Sequence, residues 1–421
     1  MQKETKSFQE LSGLIVKINY SANNLKNDIG IDDFRAVDFV NFIDMFAYLK
    51  FEDLFLLLLT FNIISNNKNS ESGIDIGFYR SGAILRILID LLKDKEEDIK
   101  PIFYYKSIPQ RLTEPKLSKI NSRIINIYDD SLKTGGTLGS YLNLLMRVTK
   151  LKKLKQINIY TMFYHRKYEF DFDDVSYHYY KFINKINFNE PLFYVDYGKF
   201  EELKITLSNR AEKLLKEDGF DKERKKENLQ SYINRFEKKL SDKDSPEKRK
   251  ELLEEKQKRL EEVLKNTKEK DFKKYYFPLI FTDPIFVSLI CWYFAKKIYK
   301  SIETDSKSIV ILSTSYEGDI LNGITAFFVK KLLQDKDIKI FINKFPHSET
   351  GSIPIFFVDY TISTNYLLKS IFENTAYKTY KKTKDDFKNE FREVFLVFNN
   401  SRLEENKNNK INAFFPDPIT F

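Results

Sequence analysis

Residues 124–138 read IINIYDDSLKTGGTL, and this stretch decides the fold. The apolar run at 124–128 predicts a buried strand, and the apolar spacing of residues 138–148 predicts a helix directly after the loop. A strand, a short glycine-containing loop and a helix are the first parts of a βαβ unit. The stretch therefore predicts an α/β domain with a parallel sheet.

The loop between this strand and this helix has the composition of a phosphate site. Asp129 and Asp130 follow the strand at its carboxyl end, where open α/β sheets place their ligands, and their carboxylates can accept hydrogen bonds from vicinal hydroxyls. The Thr-Gly-Gly-Thr at 134–137 offers backbone N–H groups without a β-carbon in the way, two hydroxyls and the positive end of a helix dipole. Together these groups predict a pocket for a ribose 5-phosphate.

The same alternation of strands and helices continues on both sides of this loop. Upstream, residues 74–78 predict a strand that ends at Arg80-Ser81-Gly82, with a helix over 83–92. Other strands are predicted at 102–105, 157–163, 309–313, 338–343, 355–358 and 394–398, and other helices at 320–333 and from about 366. The order of elements is the same in both halves, and Asp129 and Asp359, each at a strand end, lie 230 residues apart. We therefore expect an internal duplication.

A charged segment separates the two halves. Residues 201–270 contain 21 Lys or Arg and 18 Asp or Glu, so their charges nearly cancel and favour pairing along helices. Two antiparallel helices are predicted, at about 205–240 and 246–268, with Ser245 as the N-cap and Pro246 in the first helical position. The predicted regions are an α/β lobe with an N-terminal helical part at 1–200, a helical insertion at 201–273 and a second α/β lobe at 274–421. The insertion is either structural or a contact for a partner protein.

The strand, the paired acids and the Thr/Gly-rich loop resemble the signature of the type I phosphoribosyltransferase family. The resemblance implies that Asp129 and Asp130 hold the ribose hydroxyls of phosphoribosyl pyrophosphate, and that Arg80-Ser81-Gly82 bind the pyrophosphate. It also implies that the 5-phosphate is wrapped by Lys133, Thr134, Gly135, Gly136 and Thr137, and that Ser131 and Leu132 belong to the same substrate-binding stretch. Asn126 departs from the family pattern, which has an apolar strand residue there.

In this family, a flexible loop closes over the site and brings cations to the departing pyrophosphate. The corresponding segment here lies between Lys106 and Asp129, and Arg111 and Lys116 are its candidate catalytic residues. Mg²⁺ is the expected cofactor because a diphosphate needs a hard cation between its oxygens, and we expect few protein ligands for it.

The second half departs from the pattern. Its loop reads DYTISTNYL at 359–367, so the second acid and both glycines are absent, and Arg80 is matched by Tyr316 or Glu317. The fold class expected is therefore α/β, with two phosphoribosyltransferase-like parallel-sheet lobes, the second degenerate, and a charged helical insertion.

Composition excludes several other classes. The 421 residues include a single cysteine, Cys291, and three histidines, which rules out a disulfide framework and a Cys-rich zinc module and favours a reducing, cytoplasmic setting. No apolar run reaches the roughly 18 residues needed to cross a bilayer, so no membrane association is expected. The sequence also lacks a GxxxxGK motif, which argues against ATP hydrolysis.

Three functions fit these features. The first is an enzyme that binds phosphoribosyl pyrophosphate with Mg²⁺ and acts at the anomeric carbon. Its two-lobe architecture resembles phosphoribosyltransferase-like effectors of bacterial conflict systems, including retron-associated ones, which implies antiphage defence. The second is a non-catalytic nucleotide or phosphoribosyl pyrophosphate sensor with a protein or nucleic-acid partner. The third is a nucleic-acid-binding protein, suggested by the lysines at 150–155 and 378–382.

Overall fold

The structure is a computed structural model. It describes residues 41–66, 73–92, 102–104, 124–148, 154–166, 183–197, 203–209, 222–265, 283–303, 306–344, 353–362, 391–399 and 410–415, except Tyr48, Tyr79 and Asp337, together with Asp171, Val175 and Tyr179. None of the helices within these ranges is long and apolar enough to cross a membrane.

The chain forms two compact units. The first contains Phe55–Phe286 with Val40–Phe42, and the second contains Ile43–Leu54 and Val287–Phe421. The charged helices thus belong to the first unit, and residues 43–54, which the sequence assigned to the first lobe, belong to the second.

The first unit is built on a seven-stranded sheet. Its strands are β1 (Ile74–Phe78), β2 (Ile102–Tyr104), β3 (Ile124–Leu132), β4 (Gln156–His165), β5 (Ile186–Phe188), β6 (Phe193–Tyr197) and β7 (Leu203–Leu207). Their order is β2-β1-β3-β4-β6-β7, with β5 also beside β4, and only the β6–β7 pair is antiparallel. Among the described residues up to 265, the α-helices are α1 (Phe51–Asn66), α2 (Ser81–Leu92), α3 (Gly136–Val148), α4 (Lys222–Ser241) and α5 (Pro246–Lys265).

The second unit contains a five-stranded parallel sheet. Its strands are β8 (Ser308–Leu312), β9 (Lys339–Ile342), β10 (Ile355–Ile362), β11 (Phe391–Asn399) and β12 (Lys410–Phe415), in the order β12-β11-β10-β8-β9. A 3-10 helix (Asp44–Ala47), α6 (Pro284–Ser301) and α7 (Tyr316–Leu332) complete the helices described. From the opposite edge this order is β9-β8-β10-β11-β12, the order of β2-β1-β3-β4-β6 in the first unit. The shared order supports the duplication proposed from the sequence.

The mixed α/β class with parallel sheets is confirmed, and most predicted elements occur. The strand at 74–78 has the predicted bounds, and the four strands predicted in the second half occur with ends shifted by at most four residues. The N-cap at Ser245 is also confirmed, because its Oγ accepts a hydrogen bond from Lys248 N at 3.1 Å and α5 begins at Pro246. The helix expected from about residue 366 lies outside the described residues.

Two of the shifted boundaries lie in the first unit and have a clear cause in strand pairing. The strand expected to end at Tyr128 continues to Leu132, because Asp129, Ser131 and Leu132 all pair with β4. The helix expected from residue 205 was wrong at its start: Leu203–Leu207 is a strand, paired antiparallel with β6. The alternating apolar side chains of Leu203, Ile205 and Leu207 have the period of a strand.

A ladder of polar side chains crosses the first sheet and explains Asn126. Asn126 Nδ2 donates to Asp75 Oδ1 at 2.9 Å, and Asn126 Oδ1 accepts from Asn158 Nδ2 at 2.9 Å. Asn158 Oδ1 in turn accepts from Asn187 Nδ2 at 2.8 Å. Each pair is in direct register between neighbouring strands, so the amides fix the strand register.

The neighbouring strand positions are apolar and form the core of the first unit. Ile76, Ile127 and Ile159 pack with Leu142 and Leu145 of α3 in one buried cluster. This packing holds the start of α3 at the carboxyl ends of the strands, because α3 follows β3 directly.

Arg86 closes the polar ladder and provides a test of the fold. Its fully buried side chain pairs with Asp75 and, at 2.6 Å, with Asp90, and its guanidinium lies 5.0 Å from the centre of the Tyr128 ring.

Arg86→Met should destabilise the protein by about 3 kcal/mol, because it removes the cation that neutralises the largely buried carboxylates of Asp75 and Asp90. Lys250→Met, which removes the exposed Lys250–Glu254 pair, should change stability by less than about 0.5 kcal/mol. Urea unfolding followed by circular dichroism compares the two, and equal midpoints would contradict a structural role for the buried pair.

Candidate functional site

The predicted phosphate loop ends in a turn that requires glycine. Gly135 has a φ of 66°, a left-handed conformation that side chains disfavour, and α3 begins at the next residue. Gly139 N bonds to Gly135 O at 2.8 Å, which closes the first helical turn. The amides of that first turn have no acceptor within the helix, so they are available to an anion.

The side chains of this loop are accessible. Thr134 and Gly136 are exposed, and Ser131, Lys133, Gly135 and Thr137 are partly exposed, whereas Leu132 belongs to the buried core. Within the described ranges, no hydrogen-bond partner is found for the hydroxyls of Ser131, Thr134 and Thr137. The loop therefore offers hydroxyl donors without a described partner at the end of β3, whereas the Leu132 side chain faces the core.

The predicted pyrophosphate loop packs directly against β3. A β-carbon at Gly82 would lie 2.4 Å from Tyr128 O and 2.9 Å from Asp129 Cα, so only glycine fits there. The structure thus brings Ser81-Gly82 to Asp129, although these two residues begin α2 and do not form a loop before it. Ser81 is buried, while Arg80 is partly exposed, and among the described residues its guanidinium has no ion-pair partner.

The two adjacent acids have different surroundings. Burial raises the pKa of Asp129, the negative charge of Asp130 raises it further, and the hydrogen bond from Asp130 N (3.0 Å) only partly offsets these effects. Asp130 is itself buried, and its Oδ2 accepts a hydrogen bond from Phe42 N at 2.9 Å. We expected both acids to hold ribose hydroxyls, but one oxygen of Asp130 already anchors a backbone segment 88 residues away in sequence. Asp129 is the acid left for a ligand.

The equivalent acid of the second unit, Asp359, is saturated with hydrogen bonds. Its Oδ2 accepts from Thr314 N at 2.9 Å, Thr314 Oγ1 at 2.7 Å and Ser315 N at 3.2 Å. Its Oδ1 accepts from Tyr360 N at 2.8 Å and from the Ser315 hydroxyl. The carboxylate therefore occupies the turn before α7, where an anionic ligand would otherwise find these donors.

The two units share a glycine at this point and differ in the residues before it. A β-carbon at Gly318 would lie 2.7 Å from Asp359 Oδ1, and a β-carbon at Gly82 would lie 2.4 Å from Tyr128 O of β3. Each glycine thus allows a helix start to lie close to the neighbouring strand. With these glycines superposed, Thr314 and Ser315 take the places of Phe78 and Tyr79. These hydroxyls were not predicted from the sequence, although an alignment of the two halves on the glycines at 82 and 318 places them just before the second helix start.

A second network supports the loop of the second unit. Ser313 Oγ donates to Asp319 Oδ1 at 2.6 Å, and Asn343, which has a φ of 54°, donates to the same oxygen at 2.5 Å. Burial raises the pKa of Glu317, and the nearby Asp359 raises it further. This acidic, internally bonded loop is unsuited to a diphosphate and supports the interpretation of the second lobe as degenerate.

Several predicted residues lie outside the described ranges. They include the candidate catalytic residues Arg111 and Lys116 and the lysines at 150, 152, 153, 378, 381 and 382; Lys155 is described and exposed. In the part of the chain that is described, no group of three or more His, Cys, Asp or Glu side chains could hold a metal ion.

Comparisons with known proteins add little. No model of a protein family matches the sequence, and no curated protein does. Among solved structures, a derivative structure of the UDP-N-acetyl-mannosamine dehydrogenase Cap5O from S. aureus matches at 10% identity and a TM-score of 0.20, over 81% of this chain and 97% of that one. A similarity this low supports no conclusion about fold or function.

The contrast between Asp129 and Asp359 predicts opposite effects of the same substitution. Asp129→Asn should raise the thermal midpoint at pH 7, because it removes a charge that the folded state disfavours. A carboxyl whose pKa is raised on folding stabilises the protein below its unfolded pKa and loses that effect as pH rises towards the folded pKa. The gain should therefore shrink as the pH is lowered towards about 4.

Asp359→Asn should instead destabilise by about 3 kcal/mol, because an amide cannot accept all the hydrogen bonds that the carboxylate accepts. Differential scanning calorimetry of both variants from pH 4 to pH 8 measures the two signs. Shifts of the same sign at pH 7 would show that the two acids do not differ as described.

The close approach at Gly82 gives another test. Gly82→Ala should destabilise by about 2 kcal/mol, because the methyl group would collide with backbone atoms of Tyr128 and Asp129. Gly139→Ala is the matched control, since it meets no atom within 4 Å and lies in a helix, where alanine adds about 0.5–1 kcal/mol of stability. Chemical denaturation distinguishes them, and a neutral Gly82→Ala would contradict the tight packing.

Proposed function

We propose that the first unit is a phosphoribosyltransferase-like enzyme that binds phosphoribosyl pyrophosphate with Mg²⁺ and acts at the ribose anomeric carbon. The observation that carries the proposal is the difference between two similar loops. In the second unit the donors before α7 are taken by Asp359, whereas in the first unit the hydroxyls of the β3–α3 loop have no described partner beside a desolvated Asp129. Polar groups left unused in this way are typical of ligand sites.

Each part of the site has a distinct task in this proposal. The 5-phosphate binds the first-turn amides of α3 and the hydroxyls of Thr134 and Thr137, with Lys133 near the same turn. Asp129 bonds to a ribose hydroxyl, and Arg80 faces the pyrophosphate. The carboxylate–hydroxyl bond fixes the ribose so that its anomeric carbon is held for attack.

The reaction is a substitution at that carbon. The bond between the carbon and the pyrophosphate oxygen breaks, its electron pair leaves with pyrophosphate, and a bond forms to the acceptor atom, whose proton passes to solvent. Magnesium bound to the diphosphate supplies charge neutralisation on the leaving group. Arg111 and Lys116 in the predicted closing segment would add cationic side chains to the same oxygens.

The cellular location proposed is the cytoplasm, and the single cysteine, Cys291, is free and buried. The biological role proposed is that of an effector of antiphage defence. The charged helices α4 and α5 remain the proposed contact for a partner protein.

The alternative is a sensor that binds the same ligand without converting it. The hydrogen-bonded Asp359 is compatible with this alternative, because a second unit without a ligand site of its own can have a regulatory role or a structural one.

The third function, nucleic-acid binding, makes a different prediction. The affinity for oligonucleotides would depend steeply on salt and would be unchanged by Asp129→Asn.

The test is calorimetric titration of phosphoribosyl pyrophosphate with Mg²⁺ into the full chain. Wild type should bind, and Asp129→Asn should bind at least about tenfold more weakly, because it removes one charge-assisted hydrogen bond of roughly 1.5 kcal/mol. Asp335→Asn, an exposed acid of the second unit, is the control and should leave the affinity unchanged. No binding by wild type would refute the proposal, and equal binding by wild type and Asp129→Asn would move the site elsewhere.

Release of pyrophosphate separates enzyme from sensor. With candidate nucleobases as acceptors, an enzyme should release pyrophosphate and lose that activity in Arg111→Ala or Lys116→Ala. A sensor should bind the ligand, release none and tolerate both substitutions.

A further inference from the structure

A cavity in the first unit borders the end of β3 at Leu132 and extends along β4 towards β5 and β6. It has a volume of about 650 Å³, within the range of small-molecule sites. It is bordered by the strand ends of β3 and β4, by β5 and by the segment that joins β5 to β6. The described lining residues are Leu132, Ile159, Thr161, Tyr164, Ile186, Asn187, Phe188, Asn189, Glu190, Pro191 and Tyr194.

The sequence shapes this cavity through an irregular connection. Phe188 follows Asn187 in register with Ile159 of β4, and pairing with β4 resumes only at Phe193, opposite Phe163. The residues between them cross from one pairing to the next, with Pro191 among them. This connection places Glu190 and Tyr194 beside the exposed end of the sheet.

The walls are aromatic. Phe188, Tyr164 and Tyr194 line the cavity, and the rings of Tyr164 and Tyr194 meet edge to face, with centroids 6.2 Å apart at 83°. The Tyr194 ring already holds one cation: the Arg166 guanidinium lies 3.9 Å from its centroid. Arg166 is not among the lining residues and pairs with Asp196 at 3.3 Å, so it neutralises a carboxylate outside the cavity.

The charge of the lining is negative. Glu190 is the only charged side chain among the described lining residues, and it is partly exposed. The Tyr194 hydroxyl donates to Glu190 Oε1 at 3.4 Å, which fixes the carboxylate beside the rings. Burial raises the pKa of Tyr194, and Glu190 raises it further, so the phenol keeps the proton that it donates.

We infer that this cavity binds a small organic cation, with its charged nitrogen beside the rings of Tyr164, Tyr194 and Phe188 and its counter-ion in Glu190. Aromatic faces attract a cation through their quadrupole, and a nearby carboxylate adds direct charge attraction. Asn187 Nδ2 already donates to Asn158 Oδ1, and Asn189 Nδ2 already donates to Ile159 O. These two amide groups therefore line the cavity but are engaged in hydrogen bonds within the sheet. A quaternary ammonium group needs no donors and fits this lining.

The test compares a cation with its neutral isostere. Choline and 3,3-dimethyl-1-butanol have the same shape and differ in charge, and both are titrated into the wild-type full chain by calorimetry at low salt. Choline should bind about tenfold or more tightly than the alcohol, the equivalent of roughly 1.4 kcal/mol from cation–π and charge attraction. Equal affinity, or no choline binding, would overturn the inference, and a preference for the alcohol would indicate a site for neutral ligands.

Variants localise the binding. Glu190→Gln should weaken choline binding about tenfold and leave the alcohol unaffected, and Tyr194→Leu should weaken choline further. Glu254→Gln, an exposed acid of α5, is the matched control and should change neither. Asp129→Asn should also leave choline binding intact, so failure of the phosphoribosyl proposal and failure of this one are distinguishable. Choline binding that is indifferent to Glu190→Gln and Tyr194→Leu would place the site elsewhere.

Discussion

The constraint on which each unit depends is the contact between a helix start and the central strand of its sheet. In the first unit Gly82 lies so close to the backbone of Tyr128 and Asp129 that no β-carbon fits, and a β-carbon at Gly318 would collide with the side chains of Asp359 and Ser313. This contact fixes the loop before the helix against the carboxyl end of the strand, at the point where the strand order reverses. The acid at that strand end is therefore held where a ligand or an internal partner can bind it.

The two units use this shared geometry differently. In the second unit, Thr314 and Ser315 give the Asp359 carboxylate the hydrogen bonds that solvation would otherwise provide, so the charge is stabilised within the fold. In the first unit the equivalent positions hold Phe78 and Tyr79, and Asp129 is desolvated beside a second acid. Asp359 thus has its hydrogen bonds supplied within the fold, whereas the described bond to Asp129 is a single one, from Asp130 N.

Much of the fold followed from local sequence. Short apolar runs predicted four strands of each sheet, because a strand buried on both faces is a continuous apolar run. The strands β5, β6, β7 and β12 were not predicted. The failures lay where pairing partners decide the structure. The residues at 203–207 sit at the start of a charged segment, and only their pairing with β6 makes them a strand. Asn126 is a polar residue in an apolar strand, and its role depends on hydrogen bonds between strands: Asn158 bonds to it, and Asn187 bonds to Asn158.

The sequence by itself determined the loop that ends β3, since the left-handed turn at Gly135 and the helix that starts after it depend on neighbouring residues alone. Only the tertiary structure decided what the acids do. Asp130 is bound by Phe42 N from 88 residues away, and Asp359 by Thr314 from 45 residues away. The physical reason is that the hydrogen bonds and the pKa of a carboxylate depend on the donors and charges around it. Strand order selects those neighbours, and the local sequence does not determine strand order.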